Sequence, residues 1–507
     1  MLDLSRTALS EEPSSANARI IANNYELVRA LGYSDLTKRI LENFAFLSEL
    51  PRRHPFEGQC IEAMIDWAKR NNAKFEKDET GNLIIDFPGI GSKPVGLQFH
   101  IDGVVAEELP AEQEITRPPL ELFVQTHDGK EFLGAKHSTL MADNRAAGAL
   151  MMALATDSEL VDRPPLRLIV TVGEEVGLLG ASKINPKWLE PLKCIINLDS
   201  APYGSITTSC VGGARLEISM TSEREEKDKN SARLIVTLEG LPGGHSGSMI
   251  TAKIPNAIKY GALLCQTVCD NFSSARVVNV TGGSAMNAIP ADASFEFVVS
   301  KRSVKKVKES LNRFKRILLE DTGELKISEK EEGDLPLTKA SGKALLDLVK
   351  VLHDGVIKKG PPLVSSNLGK MRFENGRFIL GILARAAGTK DDLDQVVATH
   401  TQAADSFFAT TNVLLSYYPW KVDSEAPIIA LAKDVMEKSG IPEVQIRGAT
   451  GGIEPAHFAN IAPNVPCISL GMDVSGLHTT SERLQLDTIE PTYNIVTGLL
   501  KELAEDI

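Results

Sequence analysis

Short apolar runs that alternate with a helical segment constrain the fold of this chain more than any other feature. Three runs have the length and composition of buried strands: VGLQF (95–99), LRLIVTV (166–172) and CIINL (194–198). A helical segment, DNRAAGALMMALATD (143–157), lies between the first two runs. Such alternation is typical of an α/β sheet whose strands are joined by crossover helices. From about residue 416 the same pattern resumes, with a helix, a strand in PCISLGM and a final helix after Asp487.

The pattern between residues 207 and 415 is different. Its first part reads strand, helix, strand, strand, helix, which is the order of a small two-layer α+β domain. A second round follows, with a helix predicted over 343–357, a hairpin around Asn375-Gly376 and a helix over 391–408. We therefore predict an α/β domain built from 39–206 and 416–507. An α+β domain, possibly duplicated, is inserted at 207–415, and residues 1–38 form an N-terminal extension.

Composition excludes several classes of partner. The 507 residues include 67 acidic and 55 basic side chains, and the net charge of −12 disfavours binding to nucleic acid or to an anionic membrane. The N-terminus lacks the apolar core of a signal peptide, and no run reaches the ~18 apolar residues of a membrane span, so we expect a cytoplasmic protein. The six cysteines include no CxxC pair, which is typical of reduced thiols. Cys265 and Cys269, one helical turn apart, fit a soft-metal site less well than two core positions.

The adjacent carboxylates Glu174 and Glu175 follow the second apolar run, in LRLIVTVGEEVG. Two like charges this close raise each other's pKa unless a cation neutralises one of them. A metal-bound carboxylate beside a free one would remove this conflict and would supply one ligand and one general base. By itself the pair also fits a solvated turn.

Residue types that bind metals lie at or just after the other predicted strands of the α/β part. They are His100, Asp102, Asp143, Asp199 and His478. Ligands of open α/β sheets gather outside the carboxyl ends of the strands, so we expect these residues to converge there. Each also has an ordinary explanation: His100 as a core histidine, Asp143 as a helix N-cap, Asp199 as a turn residue and His478 as a loop residue. Two imidazoles with several carboxylates match the preferences of zinc, and they also suit Mn²⁺ or Co²⁺.

The motifs of this chain resemble one known family. They are HID at 100–102, ADN at 142–144, GEEVG at 173–177, NLDS at 197–200, GGHSG at 243–247, NAIP at 287–290 and the late His478. In this order they resemble the dinuclear zinc peptidases that include carnosinases and carboxypeptidase-like deacylases. The resemblance covers roughly residues 40–500. It implies that 39–206 and 416–507 form the catalytic domain and that 207–415 form a lid or dimerisation domain.

The resemblance also implies a role for each metal-site residue. Asp143 bridges two zinc ions, His100 and Asp199 complete one metal site, and Glu175 and His478 complete the other. Glu174 stays free of metal and acts as the general base. Asp102 orients the ring of the ligand histidine.

The same resemblance implies further site residues outside the metal ligands. His245 in GGHSG is expected to donate a hydrogen bond to the oxyanion of the tetrahedral intermediate. Asn287, Arg385 and Glu454 are expected at the substrate, with Arg385 pairing the free carboxylate of the peptide. Arg145 departs from the pattern, because the family has a small residue after ADN. We expect its side chain either to narrow the pocket or to pair with a carboxylate.

The activity implied is a metal-dependent dipeptidase that hydrolyses unblocked dipeptides, Xaa-His among them. The alternative is an N-acyl amino acid deacylase or desuccinylase that uses the same site, and a protein that kept the fold without activity is a third possibility. The expected partners are a small peptide substrate and possibly a second copy of the chain in a homodimer, with no nucleic acid and no membrane.

Overall fold

The computed structural model describes residues 15–106, 119–318, 323–360, 363–449 and 451–504. The chain divides into two compact units. Unit 1 comprises Met1–Cys210, Trp420–Ala449 and Ile453–Ile507, and unit 2 comprises Val211–Pro419 and Thr450–Gly452. The chain passes from one unit to the other between residues 210 and 211 and between residues 419 and 420. The sequence predicted these boundaries between residues 206 and 207 and between residues 415 and 416. None of the described helices combines the length and the apolar character that crossing a membrane requires.

The main sheet of unit 1 is mixed. Its described strands are, in order across the sheet, β1 (Lys74–Lys77), β2 (Leu83–Phe87), β6 (Leu166–Thr171), β3 (Val95–His100), β7 (Ile195–Asn197), β22 (Cys467–Ser469), β8 (Ser205–Cys210) and β20 (Trp420–Lys421), with β21 (Gln445–Ala449) paired to β8. The four central strands β6, β3, β7 and β22 are mutually parallel. Their carboxyl ends therefore meet at one edge of the sheet. A smaller antiparallel sheet contains β23 (Val474–Ser475), β24 (Arg483–Gln485), β5 (Lys130–Ala135) and β4 (Leu122–His127).

Helices flank the main sheet of unit 1. They are α1 (Ser15–Ala30), α2 (Asp35–Leu47), α3 (Gly58–Arg70), α4 (Ala142–Ala155), α5 (Leu179–Ser182), α6 (Pro186–Leu189), α11 (Pro427–Lys438), α12 (Pro455–Ile461) and α13 (Ile489–Ala504). The predicted mixed α/β class, with a sheet flanked by helices, is confirmed. Residues 1–14 of the predicted extension lie outside the described residues. Helix α1 belongs to unit 1, because Val28 is fully buried in its core and the Asn24 amide donates to the Leu120 carbonyl over 2.7 Å.

Helix α4 shows how the sequence sets the position of the future site. Nearly every side chain from Asn144 to Ala155 is buried, which is typical of a helix covered on all faces. A Cβ atom on Gly148 would lie 2.5 Å from Cε2 of Phe99 in β3. Glycine at this position lets the helix approach the strand closely. The first turn of α4 and the end of β3 are thereby held side by side.

Unit 2 is an α+β unit around one antiparallel sheet. The described strands of this sheet are β15 (Glu324–Lys330), β10 (Ser231–Glu239), β14 (Ala293–Ser300), β12 (Arg276–Gly282), β17 (Val364–Glu374), β18 (Arg377–Ala386), β9 (Gly212–Thr221) and β19 (Thr410–Tyr417), with β16 (Gly355–Lys358) paired to β17. A separate pair is formed by β11 (Gly244–His245) and β13 (Ala288–Ile289). The helices are α7 (Ala257–Asn271), α8 (Val304–Leu318), α9 (Lys339–Val351) and α10 (Lys390–Asp405).

Local signals explain two of these elements. The side chain of Thr389 accepts a hydrogen bond from the Asp392 amide while Asp392 accepts from the Thr389 amide, which is a capping box at the start of α10. The predicted hairpin at Asn375-Gly376 is confirmed, with both residues at positive φ between β17 and β18. The helix predicted over 343–357 is partly wrong. It ends at Val351, and Gly355–Lys358 form strand β16.

Candidate active site

The parallel strands of unit 1 deliver the candidate ligands to one sheet edge. His100 is the last residue of β3, and Asp199 follows β7. The Gly173–Glu175 loop follows β6, and the segment that carries His478 follows β22. This is the convergence expected at the carboxyl ends of parallel strands.

His100, Asp143 and Glu175 form the core of the cluster. One potential ligand atom from each of them lies within 4.8 Å of the others. The Nε2 atom of His100 is 3.1 Å from Oδ1 of Asp143 and 3.8 Å from Oδ2 of Asp199. The geometry therefore groups the residues of one predicted metal site around the His100 ring.

His478 faces the other oxygen of Asp143. Its Nε2 atom lies 3.3 Å from Oδ2 of Asp143 and 3.0 Å from Oε1 of Glu175. The two carboxylate oxygens of Asp143 thus face different imidazoles, which is the arrangement of a bridging ligand. Asp143 is not the N-cap of α4, because Met141 holds that position and the backbone of Asp143 is not helical.

These residues fit a metal centre by chemistry and by spacing. Ligands held about 2.0–2.2 Å from a tetrahedral zinc ion lie roughly 3–3.5 Å from one another, which matches the short nitrogen–oxygen distances of the cluster. The Oε1 atom of Glu175 is buried and makes no hydrogen bond, although His478 Nε2 is only 3.0 Å away. Two atoms that approach without a hydrogen bond are expected where both point at a common cation. The donor set suits Zn²⁺, Mn²⁺ and Co²⁺ alike.

Two buried carboxylates hold the loop that carries Glu174 and Glu175. The carboxylate of Asp102 accepts from the backbone N–H of Glu174 over 3.0 Å and from that of Glu175 over 3.2 Å. Oε1 of Glu57 accepts from the Gly173 N–H over 3.1 Å, and His54 Nδ1 lies 2.9 Å from the same oxygen. Three successive amides of the loop therefore have fixed partners.

The Asp143 segment is held in a comparable way. The carboxylate of Glu482 accepts from the backbone N–H groups of Met141 and Asp143, over 3.1 and 3.0 Å. The side-chain amide of Asn144 donates to the Leu198 carbonyl over 2.7 Å and to Oδ1 of Asp199 over 3.2 Å. These bonds connect Asp143 to the strands that carry the other candidate ligands.

Asp102 and Glu454 lie beside the His100 ring. Nδ1 of His100 is 3.1 Å from the Asp102 carbonyl oxygen and 3.6 Å from its carboxylate. Glu454, predicted at the substrate, is fully buried, and its Oε2 accepts from Gln98 and from the Thr171 hydroxyl, the latter over 2.8 Å. In this structure its carboxylate contacts protein groups, and a contact with substrate stays a prediction.

Burial and charge shift the pKa values of the cluster in different directions. Burial raises the pKa of Glu174 well above its usual value; the charge of His100 opposes this, and the charge of Glu175 adds to it. Burial also raises the pKa of Asp102, but the hydrogen bond and charge of His100 outweigh it and leave that pKa lowered. Burial raises the pKa of Glu454 to about 7. Of these three carboxyl groups, Asp102 is the one held charged.

The remaining predicted residues lie in unit 2. The carbonyl oxygen of Asn287 accepts from the Ser246 N–H over 2.9 Å, and Ala288 pairs with His245, so the NAIP and GGHSG motifs are neighbours. A Cβ atom on Gly247 would lie 2.9 Å from Cε1 of His245 and 3.5 Å from Cζ of Arg385. His245 and Arg385 therefore also lie close together.

The expectation for Arg145 is wrong. Its side chain is fully buried and neither lines a pocket nor pairs with a carboxylate. Instead, the guanidinium donates to the backbone carbonyls of Ile101, Leu47, Leu50 and Pro51. These carbonyls replace the carboxylate partner that the sequence suggested.

The motifs of the sequence include neither Glu57 nor Glu482. The position of Glu482, four residues after His478, is a signal that could have drawn attention to it. Glu57 carries no such signal, because Gly173 is distant from it in sequence. Cys265 and Cys269 are free thiols; the first is in the core of unit 2 and the second packs against it.

Comparisons with known proteins agree with this geometry. The model of Peptidase family M20/M25/M40 matches residues 96–502. The cytosol non-specific dipeptidase of Escherichia coli (strain K12) is 27% identical over 479 residues, covering 91% of this chain and 96% of that protein. The crystal structure of aminoacylhistidine dipeptidase from Vibrio alginolyticus aligns with a TM-score of 0.76 at 23% identity, covering 93% of this chain and 98% of the other. Human carnosine dipeptidase 1 aligns with a TM-score of 0.51 at 13% identity, covering 96% and 100%.

The fold and these matches define the chain as a peptidase. It belongs to Peptidase family M20/M25/M40, because the family model covers most of its length. The family resemblance of the sequence motifs is thereby confirmed, and the chain is similar over most of its length to a cytosol non-specific dipeptidase and, in fold, to an aminoacylhistidine dipeptidase.

Proposed function

We propose that this chain is a metal-dependent dipeptidase that hydrolyses unblocked dipeptides, Xaa-His among them. The observation that carries the proposal is the convergence of His100, Asp143 and Glu175 within 4.8 Å, with Glu174 next in the chain. The likeness to the E. coli dipeptidase over 91% of the chain supports the choice of dipeptides as substrates.

The proposed ligand assignment divides the cluster into two metal sites. His100 and Asp199 would hold one ion, Glu175 and His478 would hold the other, and Asp143 would contribute to both. The contacts of the two Asp143 oxygens with different imidazoles support this division. Two bound ions, zinc or alternatively manganese or cobalt, would polarise the scissile carbonyl and lower the pKa of the attacking water.

Glu174 is proposed as the general base. It takes a proton from the attacking water and delivers a proton to the nitrogen of the departing amine. Burial raises the pKa of its carboxyl group, which favours uptake of a proton from the attacking water. The hydrogen bonds from the Glu174 and Glu175 amides to Asp102 fix the direction of the side chain.

His245 is proposed as the donor to the oxyanion of the tetrahedral intermediate. Its Nδ1 atom is the acceptor for the backbone N–H groups of Gly247 and Ser248, both at 3.3 Å. Burial, followed by the charge of Arg385, lowers the pKa of the imidazole, so the ring is neutral near pH 7. In a neutral ring with an accepting Nδ1, the proton is on Nε2, which makes that atom the donor.

The test is the variant Glu174→Gln, which keeps the size of the side chain and removes its basicity. We expect it to bind about two metal ions per chain, as the unaltered protein does, and to lose about 10²- to 10⁴-fold in kcat on Gly-His. Metal content is measured by mass spectrometry of the dialysed protein, and turnover by release of histidine. The exposed Glu190 provides the matched control, and Glu190→Gln should change neither quantity.

Near-normal turnover of Glu174→Gln would show that the base is another group. The substrate class is tested on the unaltered protein with β-Ala-His and Gly-His against N-acetyl and N-succinyl amino acids. Hydrolysis of the acylated compounds alone would replace the dipeptidase by the deacylase alternative.

A further inference from the structure

Two arginines of unit 2 lie on the same face of its sheet. Arg385 in β18 is directly opposite Gly213 in β9, and Arg215 is two residues further along β9. Side chains of a strand alternate between the two faces, so positions 213 and 215 share a face with Arg385. Diagonal neighbours of this kind have their Cα atoms about 7–8 Å apart, within the reach of two guanidinium groups.

Among the described residues, neither guanidinium has a partner of opposite charge. In the described ranges of the chain, no acidic side chain makes an ion pair with Arg215 or Arg385, and the Nε atom of Arg385 is buried without a hydrogen-bond acceptor. Glu217, the next residue of β9 on this face, lies 3.2 Å from Arg372 and is therefore already paired. Burial lowers the pKa of Arg385. The charge of Tyr417 opposes this shift, and the charge of Arg215 adds to it. An unpaired, partly buried cation beside a second cation is costly unless an anion binds there.

Two glycines bring further polar side chains close to the arginines. Tyr417 also pairs with Gly213, and a Cβ atom on that glycine would lie 2.6 Å from the tyrosine hydroxyl. On the other side, a Cβ atom on Gly247 would lie 2.9 Å from Cε1 of His245 and 3.5 Å from Cζ of Arg385, so the imidazole and the guanidinium both border this glycine. Glycine at positions 213 and 247 thus lets a phenol hydroxyl and an imidazole lie beside the arginines.

We propose that the cluster of Arg215, Arg385, Tyr417 and His245 binds a dianionic group, namely the C-terminal residue of a dipeptide that ends in Asp or Glu. This inference rests on the proposed dipeptidase function and names its preferred substrate class. The single α-carboxylate of an ordinary dipeptide would neutralise one guanidinium and leave the other unpaired, because His245 is neutral. An acidic C-terminal residue brings a second carboxylate, and each arginine can bind one carboxylate through two parallel hydrogen bonds.

The test compares acidic substrates with their neutral isosteres. We expect kcat/KM for Ala-Glu to exceed that for Ala-Gln by about tenfold or more, the difference that one charge-assisted hydrogen-bonded pair supplies. In Arg215→Met, kcat/KM for Ala-Glu should fall about tenfold more than kcat/KM for Ala-Gln. Arg377, an exposed arginine at the far end of β18, gives the matched control, and Arg377→Met should keep the ratio of the unaltered protein.

Binding without turnover supplies a second measurement. Calorimetry with free glutamate and glutamine should show tighter binding of glutamate by the unaltered protein, and Arg215→Met should lose that difference. An unaltered protein without preference for Ala-Glu, or an Arg215→Met variant that loses both substrates equally, would overturn the inference. If no dipeptide is hydrolysed at all, the proposed function fails, whereas equal hydrolysis of Ala-Glu and Ala-Gln removes the acidic preference alone.

Discussion

Arg145 shows how one buried residue supports the candidate metal centre without touching substrate. Its guanidinium group joins the carbonyls of segment 47–51 to the carbonyl of Ile101, which lies between His100 and Asp102. Burial lowers the pKa of the guanidinium, and the charges of Cys60 and Asp102 oppose this shift. The side chain therefore fixes the end of β3 against the first turn of α4.

We expect Arg145→Met to unfold more easily than the unaltered protein. The methionine fills part of the volume but leaves several carbonyl oxygens without a donor, at about 1–3 kcal/mol for each one that water cannot reach. The free energy of unfolding should fall by about 3–5 kcal/mol. Urea unfolding of the metal-free protein measures this change apart from metal binding. A loss no larger than that of the exposed-site variant Arg377→Met would contradict the role.

Residue identities brought the candidate ligands to notice more readily than the residues behind them. His100, Asp143, Glu175 and Asp199 follow strand ends or start a helix, so their type and position were both visible in the sequence. The partners of Arg145 were not visible, because backbone carbonyls of any residue can accept its hydrogen bonds. Glu57 escaped notice for the same reason, since the amide that it accepts from has no side-chain signature.

The loop between β6 and α5 is the element on which the proposed catalysis depends most. Its amides at Gly173, Glu174 and Glu175 point at two buried carboxylates. Asp102 lies two residues after the end of β3, whereas Glu57 lies at the start of α3. Glu57 therefore connects the loop to a helix that carries no ligand.

We expect Glu57→Ala to lower kcat about tenfold while KM and metal content change little. Without Glu57 the Gly173 amide loses its acceptor, so Glu174 is held less well for proton transfer, whereas Asp102 still holds the amide of the ligand Glu175. Glu57→Gln keeps an acceptor oxygen and should restore most of the rate. Steady-state kinetics with metal analysis of both variants measures the effect. Equal rates for Glu57→Ala and the unaltered protein, or loss of metal in proportion to activity, would rule out this positioning role.

Elements with strong local signals were predicted well, and an element defined by distant pairing was not. The capping box at Thr389 and the Asn375-Gly376 turn act within a few residues, so the sequence shows them directly. The end of α9 is different. Gly355–Lys358 form a strand because they pair with Val364–Ser366 of β17, a contact that the helical periodicity of 343–357 does not reveal.

At the scale of the whole chain, the sequence indicated two rounds of α+β structure in the insert but not how they join. In unit 2 the strands of both rounds form one sheet, in which β12 of the first round pairs with β17 of the second at Gly282 and Met371. The two rounds therefore share one sheet and one core. Strand β9, at the start of the insert, also pairs with β18 and β19 of the second round, and no sequence pattern marks these distant pairings.

A buried histidine in that core makes the stability of unit 2 depend on pH. His400 in α10 is 1% exposed, and its Nε2 atom lies 2.8 Å from the Ser366 hydroxyl. Burial lowers its pKa to about 4, with the nearby charges of His353 and Lys259 adding to the effect. Between that value and the ordinary histidine pKa of about 6.5, the unfolded chain binds a proton that the folded chain does not. The free energy of unfolding should therefore fall as the pH drops below about 6.5.

We expect the contribution of His400 to reach about 2 kcal/mol between pH 6.5 and pH 5, at about 1.4 kcal/mol for each pH unit. Glutamine at position 400 does not titrate and can still bond to Ser366, so His400→Gln should lose less stability over this range than the unaltered protein. Urea unfolding at pH 7, 6 and 5 measures the two slopes. His457, whose pKa burial lowers to about 4 in unit 1, is present in both proteins and cancels from their difference. Identical slopes would mean that His400 stays unprotonated in the unfolded chain or is already charged in the folded one.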